Sequence, residues 1–329
     1  MKLDDANRSF LGLMAPALLG IYLLCGALGT VLIPLVLARI SHVGLITLTT
    51  GGSSLLPAFL VITVVALALA LGGRSIARQM LASRRLAIRV RELTRTLPND
   101  VARAATEAGL NGRVVLLDSP ERFSFTFGVL DPRVAISHGL HEDISPIELR
   151  AVLEHERYHV CNLDPLKVLL MRALSATFFL LPALDSLGAR YLAGRELAAD
   201  RRAIKACGRG PLAGALLKAT RGPDWDELAG VAALRGKELL EVRVAQLETG
   251  VEPQINTLHS MRLVLSFLGA ALFAGGLLTS VSAVGGTAAM HQMLDGRELL
   301  SAAICALPFA AAGAAAYSMI VRRARLPTA

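Results

Sequence analysis

Four apolar runs, Phe10 to Leu37, Leu55 to Leu71, Leu263 to Val284 and Leu299 to Val321, constrain this chain more than any other feature. A hydrocarbon layer of about 30 Å takes roughly 20 helical residues to cross, and each run approaches or exceeds that length. The composition agrees, with 53% hydrophobic residues, only 18% charged ones and a positive mean hydropathy, more apolar material than a water-soluble domain needs. The chain reads as an α-helical multi-pass membrane protein of about four spans. Asp4 and Asp5 precede the first run and no small-residue cleavage site follows it, so it is read as a retained span and not a signal peptide.

The formal charge of +8 matters less than where it lies. Arg74, Arg78, Arg84, Arg85, Arg89, Arg91 and Arg95 crowd behind the second run, and Arg322, Arg323 and Arg325 follow the last. The loops at 38–54 and 285–298 carry only Arg39 and Arg297. Basic residues collect on the cytoplasmic side of a membrane, which places both termini and the long middle segment in the cytoplasm of a protein in the cell membrane. The same rule explains the charge without a nucleic-acid partner, and none is expected. Cys25 and Cys305 fall in expected spans and Cys161 and Cys207 in the cytoplasmic part; without zinc-knuckle spacing, and in a reducing compartment, all four are expected as free thiols.

The expected organisation is two transmembrane helices in 1–73, a cytoplasmic domain in 74–260, and two more transmembrane helices with a short basic tail in 261–329. The middle part has the size of one globular domain. Residues 76–110 have helical composition. Arg113–Leu117, Phe123–Phe127 and Arg133–Ser137 read as short strands of a small sheet, the second alternating with the period of a half-buried strand. Ser145-Pro146-Ile147-Glu148 is a helix start with an N-cap serine, proline at the first position and glutamate at the third. Ala189–Ala206 is a second helix, stopped near Gly208.

The helix that begins at Ser145 carries His155-Glu156-Arg157-Tyr158-His159. Histidines at i and i+4 share one face, and two imidazoles meet two of the three protein ligands that a catalytic zinc requires beside an open position for water. Glu196 is the candidate third ligand, with Asp200 one turn later on the same helix. Glu156 is the candidate general base, and Asp164 and Asp200 are candidates to orient the imidazoles. Plainer roles exist for the same residues. Glu196 and Asp200 can pair with Arg201 or Arg202 on the surface, Asp164-Pro165 can simply start a helix, and the two histidines can lie on a solvated face. Phe125, Thr126 and Phe127 belong to a strand with one buried side, whose free edge could also hold an extended substrate by main-chain pairing. Leu166–Leu184 is nearly apolar enough to be a span, but one crossing would put the two halves of the site on opposite sides of the membrane. It is therefore expected to pack on the domain or dip into the bilayer interface.

The order Phe125-Thr126-Phe127-Gly128, Pro132-Arg133-Val134, Glu148-Leu149, His155-Glu156-x-x-His159 with Asp164, then Glu196-Leu197-Ala198-Ala199-Asp200, resembles membrane-embedded zinc metallopeptidases of the BlaR/MecR antirepressor type, related to the HtpX group and the CAAX-prenyl endopeptidases. The likeness covers about residues 113–253 and includes Glu241–Leu247. It implies a mainly-α zinc-peptidase domain with a small β-sheet, one Zn2+ per chain on His155, His159 and Glu196, Glu156 as general base, and a protein or peptide substrate. A transcriptional repressor, a membrane protein under quality control, and a noncatalytic scaffold role are the functions left open, and no oligomeric state is implied. Arg243 assists near the substrate or braces the fold. Arg157 and Tyr158 replace small or apolar residues of the family, so a more exposed helix is expected. The beta-lactam sensors carry a penicillin-binding domain after their last span and this sequence ends at Ala329, so antibiotic sensing is not expected.

Overall fold

The computed structural model describes residues 56–219, 236–253 and 260–293 and scattered positions between 10 and 37; the last apolar run and most of the first lie outside the described residues. Helix α1, Leu56–Glu92, starts in the second apolar run and continues without a break through the arginine-rich stretch behind it. Leucine and arginine are both good helix formers, so the change from apolar to basic composition does not interrupt the backbone. At 37 residues the helix is about 55 Å long, nearly twice the thickness of a hydrocarbon core. The division expected between residues 73 and 74 falls inside it. Among the described residues, α1 and Ser260–Ser280 of the helix α9, Ser260–Met293, are long and apolar enough to cross a membrane.

The stretch of helical composition that runs to residue 110 is helical on both sides of a short break. Thr94–Arg95 forms a short strand, β1, and a new helix, α2, Asn99–Glu107, starts behind Pro98, whose ring cannot continue a helix from the preceding turn. The strands β2, Val114–Leu117, β3, Ser124–Phe127, and β4, Arg133–Ser137, follow. The mixed sheet has the order β1-β2-β4-β3, with β2 parallel to β4 and the other pairs antiparallel. β3 lies at one edge.

The period-two pattern sorts the strand side chains onto two faces. On one, Leu117, Phe123, Phe127 and Ala135 pack with Leu86 and Val90 from the far end of α1. On the other, Val114, Val134 and Ile136 pack against α2 and the helix α4, Pro146–Cys161, through Val101, Ala105, Leu149, Leu153 and Val160. The short helix α3, His138–Asp143, adds Leu140 to this core. α4 begins as expected: Ser145 Oγ accepts from the Glu148 amide while Glu148 Oε2 accepts from the Ser145 amide at 2.7 Å.

Helix α5, Asp164–Thr177, runs back along α1, and Gln79 Nε2 donates to the Leu169 carbonyl at 3.4 Å. After a turn at 178–182, helix α6, Ala183–Cys207, returns beside α4. It starts earlier than the expected Ala189, directly after Pro182. Helices α7, Arg209–Lys218, and α8, Gly236–Thr249, close over α4 and α6, with Gln246 Nε2 donating to the Leu197 carbonyl at 3.2 Å. From Ala151 to Val160, α4 is therefore buried or half-buried at every position. Tyr158 is buried against Ala198 and Ala199, and Arg157 lies over Gly109, so the exposed helix that these two residues suggested is not found. Leu153 is fully buried at the centre of the α2–sheet–α4 core. Leu153→Ala should therefore cost about 2–5 kcal/mol, read as a lower thermal midpoint of the detergent-purified chain. An unchanged midpoint would contradict this packing.

Candidate metal and active site

His155 and His159 lie one turn apart on α4, and α6 brings Glu196 across from them. The two Nε2 atoms are 3.1 Å apart, His155 Nε2 lies 3.5 Å from Glu196 Oε2, and His159 Nε2 lies 3.7 Å from Glu196 Oε1. All three ligand atoms fall within 4.8 Å of one another. Donors about 2.0–2.1 Å from a tetrahedral zinc would be about 3.3–3.4 Å apart, so the spacing fits such an ion.

The tautomers fit as well. His159 Nδ1 lies 2.6 Å from Asp164 Oδ2, and His155 Nδ1 lies 2.8 Å from Asp200 Oδ1. A carboxylate at each Nδ1 keeps the proton there and turns the lone pair of each Nε2 inward. Two lone pairs facing each other at 3.1 Å repel unless a cation or a shared proton lies between them. Asp164 reaches His159 because Leu163, with φ +54°, turns the chain sharply through the left-handed region between α4 and α5. A leucine is rarely held there without tertiary support. The N-cap of α5 is Leu163, and the Asp164 carboxylate faces the imidazole.

Both carboxylates of α6 are held by arginines other than those the sequence offered. Arg243 of α8 donates through Nε and Nη2 to the two oxygens of Asp200, each at 2.7 Å, and its Nη1 is 3.9 Å from Glu196 Oε2. Arg195 Nη2 lies 3.1 Å from Glu196 Oε1. Arg201 and Arg202 turn away to Glu252 and Glu154. Burial opposes the charge on Glu196, but the neighbouring His159, the hydrogen bond from His155 and Arg195 overcome it and hold the carboxyl well below its usual range. Asp200 is lowered against its burial by Arg243 and His155. Burial also opposes charge on His155, yet Asp200 and Glu196 lift it to about 9.

Glu156 points to the sheet. Ser124 Oγ donates to its Oε1 at 2.9 Å and Thr126 Oγ1 to its Oε2 at 2.7 Å. Alternate residues of β3 share a face, so the two hydroxyls grip both oxygens of one carboxylate. Phe125 and Phe127 point the other way, into the cluster under the end of α1. Thr126 thus meets Glu156 while the two phenylalanines do not. Sequence reasoning missed Ser124 and Arg195. The period of β3 puts Ser124 beside Thr126, which was the available signal for the first; Arg195 stood next to Glu196 with nothing in its spacing to mark it.

With this geometry in view, comparison with known proteins is decisive. The sequence model of the BlaR1 peptidase M56 family matches residues 46–247. The chain belongs to that family. Relatives include the Protease HtpX of Aeromonas hydrophila, 41% identical over 85 residues that make up 25% of this chain and 29% of the relative. The Protease HtpX of Escherichia coli K12 is 28% identical over 180 residues, 50% of this chain and 61% of the relative. The chain thus spans less than two thirds of the length of these proteins. No solved structure matches it significantly.

The raised His155 pKa carries a sign that can be checked. A folded-state value of about 9 against the usual 6.5 stabilises the metal-free chain fully below about pH 6.5, and this contribution is lost as pH rises through 9. Imidazole NMR of metal-free protein should show His155 titrating near 9, and Asp200→Asn should bring it down. Titration of His155 at its ordinary value in the unsubstituted chain would refute the pairing with Asp200.

Proposed function

We propose that the chain is an integral membrane zinc endopeptidase of the cell membrane that hydrolyses peptide bonds of a cytoplasmic or membrane protein, with its termini and active site in the cytoplasm. The observation that carries this reading is the convergence of His155, His159 and Glu196, each imidazole backed by a buried carboxylate. Two nitrogens and one carboxylate are the donor set of a catalytic zinc with a position left open. Bound there, the ion supplies a Lewis acid for the scissile carbonyl and lowers the pKa of a water molecule to about 7.

The remaining work falls to the chain. Asp164 and Asp200 keep the His159 and His155 protons on Nδ1, so both Nε2 atoms stay available as donors. Arg243 offsets the charge of Asp200, and Arg195 and Arg243 flank Glu196, which keeps that carboxylate ionised. Glu156 takes a proton from the attacking water onto a carboxylate oxygen and delivers it to the leaving amine nitrogen. Ser124 and Thr126 fix the rotamer of Glu156, and since each carboxylate oxygen has two lone pairs, one on each stays free for that proton. β3, as the sheet edge beside Glu156, is suited to hold an extended substrate by main-chain pairing. A transcriptional repressor and a membrane protein undergoing quality control are both substrates that such an edge accepts.

The test compares purified wild type, Glu156→Gln and Glu196→Ala for zinc per chain and for cleavage of a broad peptide set. Glu156→Gln should keep one zinc and lose hydrolysis by about 100-fold or more, and Glu196→Ala should lose the metal. Full activity in Glu156→Gln would overturn the base assignment, and absence of zinc from the wild type would leave a noncatalytic scaffold. The double substitution Ser124→Ala, Thr126→Val should lower kcat by about tenfold with KM little changed, because hydrogen bonds to a charged group contribute about 1.5–3 kcal/mol. An unaltered kcat would show that Glu156 needs no support from β3.

A further inference from the structure

We propose that the hairpin made by the end of α5 and the start of α6 is inserted into the lipid bilayer from the side that carries the active site, with Phe178–Leu181 at its deepest point. The inference rests on the reading of α1 and α9 as membrane spans. A full crossing is ruled out by the fold, because His159 and Asp164 at one end of the hairpin meet Glu196 and Asp200 at the other.

The tip lies between the two spans. A Cβ at Gly72 of α1 would collide with Thr177, and one at Gly269 of α9 with the Leu180 carbonyl, so both helices approach the hairpin at glycines. Beside the tip an apolar cavity of about 230 Å³, with no charged residue in its lining, is bounded by Val64, Ala68, Phe178, Leu181, Ala270 and Phe273. The α1 residues of this lining lie before Arg74 and those of α9 after Arg262, within the charge-free parts of both helices. The hairpin itself carries no charge from Ala173 to Leu184. Charges return together at one level. Asp185 is exposed, and Arg262 donates to Ser186 Oγ at 3.2 Å.

Hydrocarbon penalises unpaired amides, and the flanks of the turn are paired internally or by α9. The amide of Phe178 donates to the Leu174 carbonyl at 2.8 Å, that of Leu181 to the Phe178 carbonyl at 2.8 Å and that of Leu184 to the Leu181 carbonyl at 3.0 Å. Pro182 has no N–H, and the Ala183 amide donates at 2.9 Å to Ser266 Oγ of α9, which passes its own hydrogen to the Arg262 carbonyl at 2.8 Å. A serine inside an apolar span thus completes the hairpin turn. Phe179, 39% exposed at the tip, faces outward where lipid chains would receive it.

Insertion sets the height of the metal site. From Ser186, level with Arg262, α6 rises about 15 Å to Glu196. The other route agrees: Gln79 stands about 8 Å beyond Arg74 and touches Leu169, which is about 8 Å from Asp164. The head groups occupy about 5–8 Å of that distance, so the site stands just outside them.

The experiment uses the full chain with Cys25, Cys161, Cys207 and Cys305 replaced by serine and single cysteines introduced as Phe179→Cys, Phe267→Cys, Leu130→Cys and Asp185→Cys. Each carries an environment-sensitive fluorophore in phosphatidylcholine–phosphatidylglycerol vesicles. Probes at 179 and 267 should lose most of their emission to doxyl groups on the acyl chains and little to aqueous iodide. The probe at 130, on an exposed loop residue, should do the reverse. The probe at 185 should be quenched by a spin label on the lipid head group, which gives an independent reading should the Phe179→Cys protein not fold. Lipid quenching at 267 with iodide quenching at 179, or no head-group quenching at 185, would overturn the insertion while leaving the spans intact. Iodide quenching at 267 would bring down the membrane reading itself.

Discussion

Two carboxylates with almost no access to solvent, Asp164 at 2% and Asp200 at 0% exposure, set the terms for the rest of the molecule. An unpaired charge in such surroundings costs several kcal/mol, so each must be met by a hydrogen-bonded partner of opposite or shareable charge. His159 and His155 answer that need directly and Arg243 answers it again for Asp200. These partners come from α4 and α8, while the acids come from α5 and α6. Electrostatic pairing and helix packing therefore specify the same arrangement, and neither is satisfied without the other.

The same pairing explains why α4 is buried although its centre is polar. Glu154, Glu156, His155 and His159 all sit inside the domain, yet each has a partner on a different element: Arg202 on α6, the hydroxyls of β3, Asp200 on α6 and Asp164 on α5. α1 contributes at a distance. Its apolar part contacts the α5–α6 turn at Gly72, and its far end covers the sheet face opposite α4 through Leu86 and Val90. One continuous helix thus touches both the α5–α6 hairpin and the sheet whose edge meets Glu156.

Much of this was legible in the sequence because it is local. The capping box at Ser145, the i, i+4 spacing of His155 and His159, the matching spacing of Glu196 and Asp200, and three of the strands need only near neighbours to be recognised. What escaped depends on residues far apart in the chain. Nothing near Asp200 indicates that Arg243 will take both of its oxygens. The solvated face allowed for the two histidines was a reasonable local reading of a polar turn; burial by α6 and α8 is a tertiary fact. The left-handed turn at Leu163, without a glycine to announce it, belongs to the same class. Within the stretch of helical composition that runs to residue 110, β1 interrupts the helices to pair with β2, again a contact no local pattern displays.

The edge strand has only four residues, and its pairing with β4 places Ser124 opposite Ile136 and Thr126 opposite Val134. Side chains on a strand alternate, so a shift of one position would turn the two hydroxyls away from α4 and present Phe125 and Phe127 in their place. Glu156 would then face two hydrocarbon rings, its ionised form stripped of both donors. Correct pairing of a four-residue ribbon thus decides which side chains Glu156 meets, and Gly128, whose positive φ of 91° makes the turn toward β4, helps to set it.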